Sequence, residues 1–262
     1  MATTRRKVLR VTDSEAKQLN DEVAVDVPVE LYVGNELFRM LWASPGLEKE
    51  LALGHLLAEG IIDSLGEIEE AAAKGSKVFV TLKTDRRLRL EASKVNRLIT
   101  TECSPTSGQL NLLDRLRKPK VSSQLSVKPE ALLKMVEELN RRASVFKATG
   151  GTHSAMLCTG GGEVLAYAED VGRHNAIDKV IGLLTLEGGT FSDCVLVSSG
   201  RQPSDMVLKA ARVGIAVVVS QAAPLDSGVR AAEETGVTLV CFARGRRFNV
   251  YAHPERVLLG EA

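Results

Sequence analysis

The first hundred residues alternate short apolar runs with turns, a pattern that predicts a small α+β unit. Apolar residues on both sides of Gly34-Asn35 are typical of a β-hairpin with glycine at the first turn position. Ser44-Pro45 offers a helix N-cap and an early proline, leucines then recur at helical spacing, and Gly60 follows. We therefore expect a hairpin followed by a helix over residues 47–59.

A second hairpin is predicted further along. Residues 77–83 and 87–91 both alternate apolar with polar side chains, and Asp85-Arg86 lies between them. Helix 47–59 would cover its apolar face. We assign residues 1–99 to an N-terminal α+β part with two hairpins and a helix. Residues 100–126 are rich in Thr, Ser, Gly, Pro and charge, which indicates a mobile surface loop between two halves.

The remainder, residues 127–262, has the pattern of an α/β domain. A hairpin is expected around Gly160-Gly161-Gly162, and apolar strand-length runs then alternate with amphipathic segments. Strands are predicted at 194–197, 215–219 and 237–242, and helices at 132–139, 175–186, 204–212 and 227–235. This alternation favours the α/β fold class, with a mixed sheet flanked by helices and ligands at the carboxyl ends of its strands.

Composition and charge exclude several classes of protein. The 262 residues are 44% hydrophobic and 26% charged, as in an ordinary globular protein. The chain has 34 basic and 33 acidic residues, and the resulting formal charge of +1 provides no net electrostatic field for binding nucleic acid or a membrane surface. The longest apolar stretch, Val213 to Val219, is only strand-sized, and the basic N-terminus lacks a signal-peptide core. We predict a cytoplasmic protein.

The four cysteines are widely spaced, which argues against a disulfide framework or a zinc knuckle. Cys158, Cys194 and Cys241 lie in or beside apolar strand runs, where cysteine acts as a small buried hydrophobe. Cys103 lies instead in a polar loop, where a thiolate is accessible. From composition alone, an exposed loop cysteine is as readily accidental as reactive.

Two basic segments follow predicted strands. Arg201 lies in Ser199-Gly-Arg-Gln-Pro-Ser204, where a glycine, a helix N-terminus and a guanidinium suit an anion. A capped strand–helix turn with an exposed arginine explains this segment equally well. The second segment follows the last predicted strand and consists of Phe242, Ala243, Arg244, Gly245, Arg246 and Arg247. Its three guanidinium groups fit phosphate or guanine recognition, and the alternative is a solvated hairpin turn.

A third segment, Glu169 to Asn175, is dense in polar groups beside a helix start. Arg173 and His174 could contact a ligand, or the whole segment could be a helix-capping network of ion pairs. Upstream, the glycines before His153 could wrap an anion, although a single histidine is more often structural.

Four blocks of the sequence are distinctive, namely Leu51–Ile62, Thr149–Ala155, Glu169–Gly182 and Ser199–Val207. Together they resemble the FdhD family, the formate dehydrogenase accessory sulfurtransferases. The resemblance extends over nearly the whole chain. The block Glu169–Gly182 is too long and specific for a chance match.

The resemblance implies a sulfur carrier. Family members accept persulfide sulfur from a cysteine desulfurase and pass it to the molybdenum or tungsten bis-guanine-dinucleotide cofactor, Mo-bis(molybdopterin guanine dinucleotide), of formate dehydrogenase. Cys103 matches the persulfide position, and 242–247 matches the nucleotide-binding segment, for which GDP is a surrogate ligand. Arg201, Arg173 and His174 are further candidates for pyrophosphate or pterin contacts. The resemblance also implies a cytidine deaminase-like core and a homodimer.

The chain departs from the family pattern at the cysteine loop. The family has Cys-Gly-x-Cys-Gly, whereas this chain has Cys103-Ser-Pro-Thr-Ser-Gly, with Thr106 at the position of the second thiol. One thiol can carry a persulfide but cannot release sulfur by closing an intramolecular disulfide. The alternative function is therefore a non-catalytic chaperone that binds the guanine-dinucleotide cofactor without sulfur transfer.

A resident metal is not expected. Zinc deaminases need a Glu two residues after a His or Cys ligand, together with a Cys pair. Here His153 is followed by Ser154 and Ala155, and no Cys-x-x-Cys occurs. We therefore assign no metal ligand.

Overall fold

The structure is a computed structural model that describes residues 1–95 and 119–259. The strands are β1 (Thr3–Thr12), β2 (Glu15–Ala24), β3 (Val27–Val33), β4 (Glu36–Ala43), β5 (Ile68–Lys74), β6 (Lys77–Leu82), β7 (His153–Thr159), β8 (Val164–Asp170), β9 (Cys194–Ser198), β10 (Val217–Ser220), β11 (Thr238–Arg244) and β12 (Arg247–Ala252). The α-helices are α1 (Glu48–Ala58), α2 (Arg87–Val95), α3 (Pro129–Arg142), α4 (Ser144–Thr149), α5 (Arg173–Leu186), α6 (Ser204–Val213) and α7 (Asp226–Thr235).

A six-stranded sheet of order β12-β11-β10-β9-β7-β8 forms the centre of the fold. Strands β9, β10 and β11 are parallel to one another, and the remaining pairs are antiparallel. All residues of β9 and β10 are buried, since helices cover both faces. Helix α3 packs on one face, and α5, α6 and α7 pack on the other. The predicted α/β class with a mixed sheet is therefore confirmed.

The N-terminal part contains a second sheet, of order β4-β3-β6-β5, beside a separate β1-β2 hairpin. The predicted hairpin at Gly34-Asn35 joins β3 to β4, and the predicted helix is α1. One face of this sheet, including Val29, Leu31 and Val78, belongs to the same apolar core as α1. Helix α1 thereby connects the four-stranded sheet to the six-stranded one.

The predicted strand at 87–91 is wrong, because these residues begin helix α2. The carboxylate of Asp85 accepts a hydrogen bond from the backbone N–H of Arg87 at 2.8 Å, which starts a helical turn. The hairpin partner of β6 is instead β5, whose Glu- and Ala-rich sequence has low strand propensity. Pairing with β6 outweighs that local preference.

Helices α1 and α5 approach each other backbone to backbone. A Cβ atom at Gly54 would lie 1.8 Å from the carbonyl oxygen of Asp178, and one at Gly182 would lie 1.9 Å from that of Glu50. Neither oxygen can move without displacing a helix. The two glycines therefore set the distance between the helices.

Within the described ranges, the helices are too short or too polar to cross a lipid bilayer.

We expect Gly182→Ala to lower the free energy of unfolding by about 3 kcal/mol, measured by urea denaturation. In a helix interior alanine is more favourable than glycine by about 1 kcal/mol, so a lower free energy of unfolding has to come from the steric contact with Glu50. Gly161→Ala is the matched control, because a Cβ there would meet only Thr159 Oγ1 at 3.8 Å. Equal stability of the two variants would contradict close contact between the helices.

Candidate functional site

Several polar side chains meet at one edge of the six-stranded sheet, which we call the carboxyl edge. It is formed by the carboxyl ends of β9, β10 and β11, where Ser198, Ser220 and Arg244 lie. Strand β7 is antiparallel to β9, so its first residue, His153, lies at the same edge. Helix α5 also begins there, because β8 ends beside His153. The topology thus brings the predicted residues Arg173, His174 and Arg201 to one side of the molecule.

Arg173 is a half-buried cation of this edge with an unsatisfied donor. Its side-chain stem packs against Gly200, where an added Cβ would lie 2.9 Å from Arg173 Cβ. Its Nε atom is buried and has no hydrogen-bond partner in the described part of the chain. An unpaired buried donor of a charged group is costly, which favours a ligand oxygen or a water there. Arg201, in the loop after β9, is exposed.

His174 is turned toward helix α6. Its Nε2 atom lies 2.7 Å from Asp205 Oδ2. Burial alone would raise the pKa of Asp205, but the hydrogen bond and charge of His174 keep this pKa below its ordinary value. His174 therefore has a protein partner, whereas Arg173 offers its guanidinium to the site.

Hydrogen bonds fix the backbone of the β9–α6 loop. Ser220 Oγ and Gln202 Nε2 both donate to the carbonyl oxygen of Gly200, at 2.7 and 2.9 Å. A Cβ at Gly228 would lie 2.1 Å from the carbonyl oxygen of Gln202, so this loop packs tightly on α7. Arg201 projects from a rigid support.

The segment 242–247 is a β-hairpin between β11 and β12. Gly245, with φ of 59°, occupies the first central position of the turn, as in a type II′ turn. Arg244, Arg246 and Arg247 are exposed, whereas Ala243 is buried. Phe242 has φ of 53°, an unusual backbone conformation for an aromatic residue, within an irregular stretch of the β11–β12 pairing. The solvated hairpin turn considered from the sequence is the conformation observed, and it presents three guanidinium groups.

Most polar residues of the block Glu169–Gly182 serve the fold. Asp170 is buried, and its Oδ2 lies 2.7 Å from Lys179 Nζ and accepts the backbone N–H of Ser44 at 3.0 Å. Asn175 Nδ2 donates to Asp170 and to the carbonyl oxygen of Trp42. The ion-pair part of the alternative considered for this segment is therefore present, whereas no described side chain caps the N-terminus of α5. This network fixes the start of α5 against the N-terminal sheet.

A second buried network joins α1, α5 and α6. Lys209 Nζ lies 2.8 Å from Asp178 Oδ1 and 2.9 Å from Glu59 Oε1, and His55 Nδ1 lies 2.9 Å from Asp178 Oδ2. Burial alone would raise the pKa of Asp178 and of Glu59, but Lys209, aided by His55, holds both below their ordinary values. Burial would likewise lower the pKa of Lys209, but the two carboxylates keep it raised.

The three strand cysteines are buried and poorly suited to react as thiolates. Burial raises the pKa of Cys158 to about 12, of Cys194 to about 11 and of Cys241 to about 12. The prediction that they are inert is consistent with these shifts. Cys103, together with Thr106 and most of the predicted loop, lies outside the described residues.

The described residues on either side of Cys103 lie at the opposite, amino edge of the parallel strands. Arg89 of α2 donates to the carbonyl oxygens of Gly60 and Ile61 at 3.3 Å. Pro119 lines the same pocket as Arg89, a cavity of about 660 Å³ that also contacts the end of α6. The backbone N–H of Val121 donates to Thr235, just before β11. Arg89, Pro119 and Val121, the described contacts on either side of Cys103, therefore lie at the edge opposite Arg173 and Arg244.

The FdhD/NarQ family model matches residues 24–258. The chain belongs to the FdhD/NarQ family. The match includes both sheets and the entire carboxyl edge. The resemblance inferred from the four sequence blocks is thereby confirmed.

Relatives in this family cover almost the full chain. The sulfur carrier protein FdhD of Sulfurisphaera tokodaii is 36% identical over 262 residues, covering 98% of this chain and 100% of the relative. That of Bacillus licheniformis is 32% identical over 256 residues, covering 97% of each. A crystal structure assigned as a formate dehydrogenase accessory protein, from Desulfotalea psychrophila, has a TM-score of 0.79 at 24% identity. It covers 98% of this chain and 100% of that one, and it supports the fold.

The structure adds residues that the sequence interpretation did not include in the site. The sequence favours a structural role for His153, whereas the structure places it at the carboxyl edge within hydrogen-bond distance of Ser199. Asp205, to which the sequence assigns no role, is the partner of His174. The signal available for both was position, since each lies beside a predicted strand end or helix start. Among the described residues, no group of three or more His, Cys, Asp or Glu side chains is arranged to hold a metal ion.

We expect stability to fall in acid because of the buried network. A carboxylate whose folded pKa is depressed stabilises the protein above its unfolded pKa of about 4, and this contribution is lost as pH falls through the folded value. Lys209, with a raised pKa, contributes below about pH 10.4 and loses its contribution as pH rises further. Urea unfolding should therefore show a decline in stability below about pH 4.5, as these carboxylates become protonated.

Glu59→Gln should make the acid decline shallower, because one linked proton is removed. The exposed Glu187→Gln is the control and should keep the wild-type slope. Identical slopes in all three proteins would show that Glu59 is not coupled to folding.

Proposed function

We propose that this protein carries sulfane sulfur on Cys103 and delivers it to a molybdenum or tungsten bis-guanine-dinucleotide cofactor bound at the carboxyl edge. The sulfur donor would be a cysteine desulfurase, and the cofactor would then serve formate dehydrogenase. The binding of the cofactor is supported by one observation, the collection of unpaired guanidinium groups at this edge. The relatives named sulfur carrier protein FdhD support the sulfur half.

The charges of the carboxyl edge suit an anionic dinucleotide. Arg173, Arg201 and the three arginines of the 242–247 hairpin make no ion pair with a described carboxylate, although the chain as a whole carries a formal charge of only +1. Guanidinium groups bind phosphate oxygens through forked, charge-assisted hydrogen bonds. A local excess of these groups in a nearly neutral protein favours a polyphosphate ligand.

Cys103 is the best candidate for the sulfur carrier by comparison with the other thiols. The three cysteines within the described sheet are buried and have raised pKa values, so they resist both access and ionisation. Cys103 follows the motif position of the family and lies in a polar stretch of sequence. The assignment of Cys103 as the sulfur carrier therefore depends on the sequence motif and on the exclusion of the three buried thiols.

Because the described chain on either side of Cys103 is anchored at the amino edge, sulfur transfer requires the thiol to reach the opposite, carboxyl edge. Cys103 follows Val95 by eight residues, and an extended chain covers at most about 3.3–3.6 Å per residue, or roughly 28 Å. The five residues of β9 span only about 16 Å along the strand. Eight extended residues are therefore longer than one strand of this sheet.

The chemistry requires an external thiol at the delivery step. In loading, the Cys103 thiolate attacks the terminal sulfur of the desulfurase persulfide, and the desulfurase thiolate leaves. In delivery, a thiol R–SH attacks the inner sulfur of the Cys103 persulfide, giving a Cys103–S–S–R disulfide and hydrosulfide for the metal. Because Thr106 replaces the second cysteine of the family loop, R–SH has to come from another molecule.

Incubation with a cysteine desulfurase and cysteine should add one sulfur atom to the protein, detected by intact mass spectrometry and removed by a reductant. Cys103→Ala should abolish the gain, because no other thiol is accessible. Cys241→Ala is the matched control and should still gain sulfur. An unchanged wild-type mass would favour the alternative, a cofactor-binding chaperone without sulfur transfer.

Replacing both Arg244 and Arg246 with Ala should weaken GDP binding about tenfold or more in calorimetry at fixed salt, because two charge-assisted contacts are lost. Both side chains are exposed, so the fold should be unaffected. The control is Arg230→Ala, which removes an exposed arginine of α7 that pairs with Asp226. Equal GDP affinity in the Arg244/Arg246 variant and the wild type would show that the hairpin does not bind the nucleotide.

A further inference from the structure

His153 is a polar residue of the carboxyl edge to which neither the sequence pattern nor the comparisons assign a role. It opens β7 opposite Asp170 of β8, one strand from the loop that carries Arg201. Its Nδ1 atom lies 3.2 Å from Ser199 Oγ. Its Nε2 atom makes no hydrogen bond with a described residue and is not among the fully buried polar atoms. His153 is therefore held by Ser199 through Nδ1, whereas Nε2 is free to bind a ligand.

The hydrogen bonds of Ser199 indicate which nitrogen carries the proton. Ser199 Oγ accepts the backbone N–H of Ser154 at 2.9 Å. The hydroxyl proton then needs an acceptor, and His153 Nδ1 is the acceptor within reach among the described residues. This assignment, made from the hydrogen-bond network, places the ring proton on Nε2. The open nitrogen of His153 is thus a donor.

The surroundings of His153 are cationic. Burial lowers the pKa of His153, and the nearby charges of Arg173 and His174 lower it further, so the ring is neutral at neutral pH. His174 is paired with Asp205, and Asp170 is paired with Lys179. Arg173 makes no ion pair with a described residue, although its charge helps to lower the pKa of Asp205, and its buried Nε has no hydrogen-bond partner in the described part of the chain.

We propose that His153 Nε2 and Arg173 form a phosphoryl-binding subsite at the carboxyl edge, and that Ser199 is the positioning residue that orients the imidazole. This inference rests on the proposed function and deepens it. The 242–247 hairpin would recognise the guanine-nucleotide end, and this subsite would hold a phosphate oxygen of the same ligand. A phosphoryl group fits because it accepts several hydrogen bonds at once and compensates the charge of Arg173.

The test compares GDP with guanosine, since only GDP carries phosphates. Calorimetry at fixed salt and pH 7.5 should show that His153→Asn weakens GDP binding about tenfold, because the shorter amide cannot reach the Nε2 position. His153→Gln should bind GDP within about threefold of wild type, since its amide nitrogen can take the place of Nε2–H. Guanosine affinity should be equal in all three proteins, which also shows that the variants are folded.

The positioning role of Ser199 is tested by comparing the GDP affinity of two variants that lose or keep its hydroxyl group. Ser199→Ala should weaken GDP binding in the same direction as His153→Asn, and Ser199→Thr should restore it, because the hydroxyl is kept. Long-range nitrogen–proton NMR spectra of the imidazoles should show His153 protonated at Nε2 in the wild type. They should show a loss of that preference in Ser199→Ala, an effect that a purely structural role of the serine does not predict.

The outcomes separate this inference from the proposed function. If the wild type binds neither GDP nor guanosine, the cofactor-binding proposal fails and the subsite fails with it. If the wild type binds GDP and His153→Asn binds it equally well, the phosphoryl subsite alone is wrong. If His153→Asn loses guanosine and GDP equally, His153 supports the fold of the pocket or contacts the base, and the phosphoryl assignment is again overturned.

Discussion

The ion pair between Asp178 and Lys209, buried between α5 and α6, is the interaction on which the arrangement of the two sheets depends. Both side chains are almost completely inaccessible to water, and they are joined by His55 of α1 and by Glu59, which directly follows that helix. A buried pair is strongly destabilising when one partner is lost, because the other charge is left uncompensated. The same helices that carry these charges approach within backbone contact at Gly54 and Gly182. Charge and close packing therefore specify one docking of α1 on α5.

This docking determines where the candidate ligand groups point. Asp170, held by Lys179 and by the backbone of Ser44, fixes the first turn of α5. Arg173 and His174 belong to that turn, so their direction toward the carboxyl edge follows from a network in which they take no part. The N-terminal sheet thus contributes to the site indirectly, by supporting the start of α5.

The sequence predicted the regular elements of the α/β part well, because its strands are continuous buried apolar runs and its helices end at glycines such as Gly214 and Gly236, both with positive φ. It failed at 87–91, where strict alternation of Arg and Leu imitates a strand, although Asp85 starts a helix. It also gave no indication of β5, because the Ala- and Glu-rich segment is a strand only through its pairing with β6. Tertiary pairing of this kind has no local signal in the sequence.

The candidate site shows a different limit of sequence interpretation. The block Glu169–Gly182 carries the most distinctive pattern in the chain, yet its buried acids, amide and lysine are used by the fold. Density of polar residues in sequence therefore does not by itself indicate a ligand. The better criterion combines position at the carboxyl edge with a polar atom that the folded chain leaves without a partner, as at Arg173 Nε, Gln202 Oε1 and the open nitrogen of His153. Groups that the fold leaves unsatisfied at a strand edge are the ones that a ligand can complete.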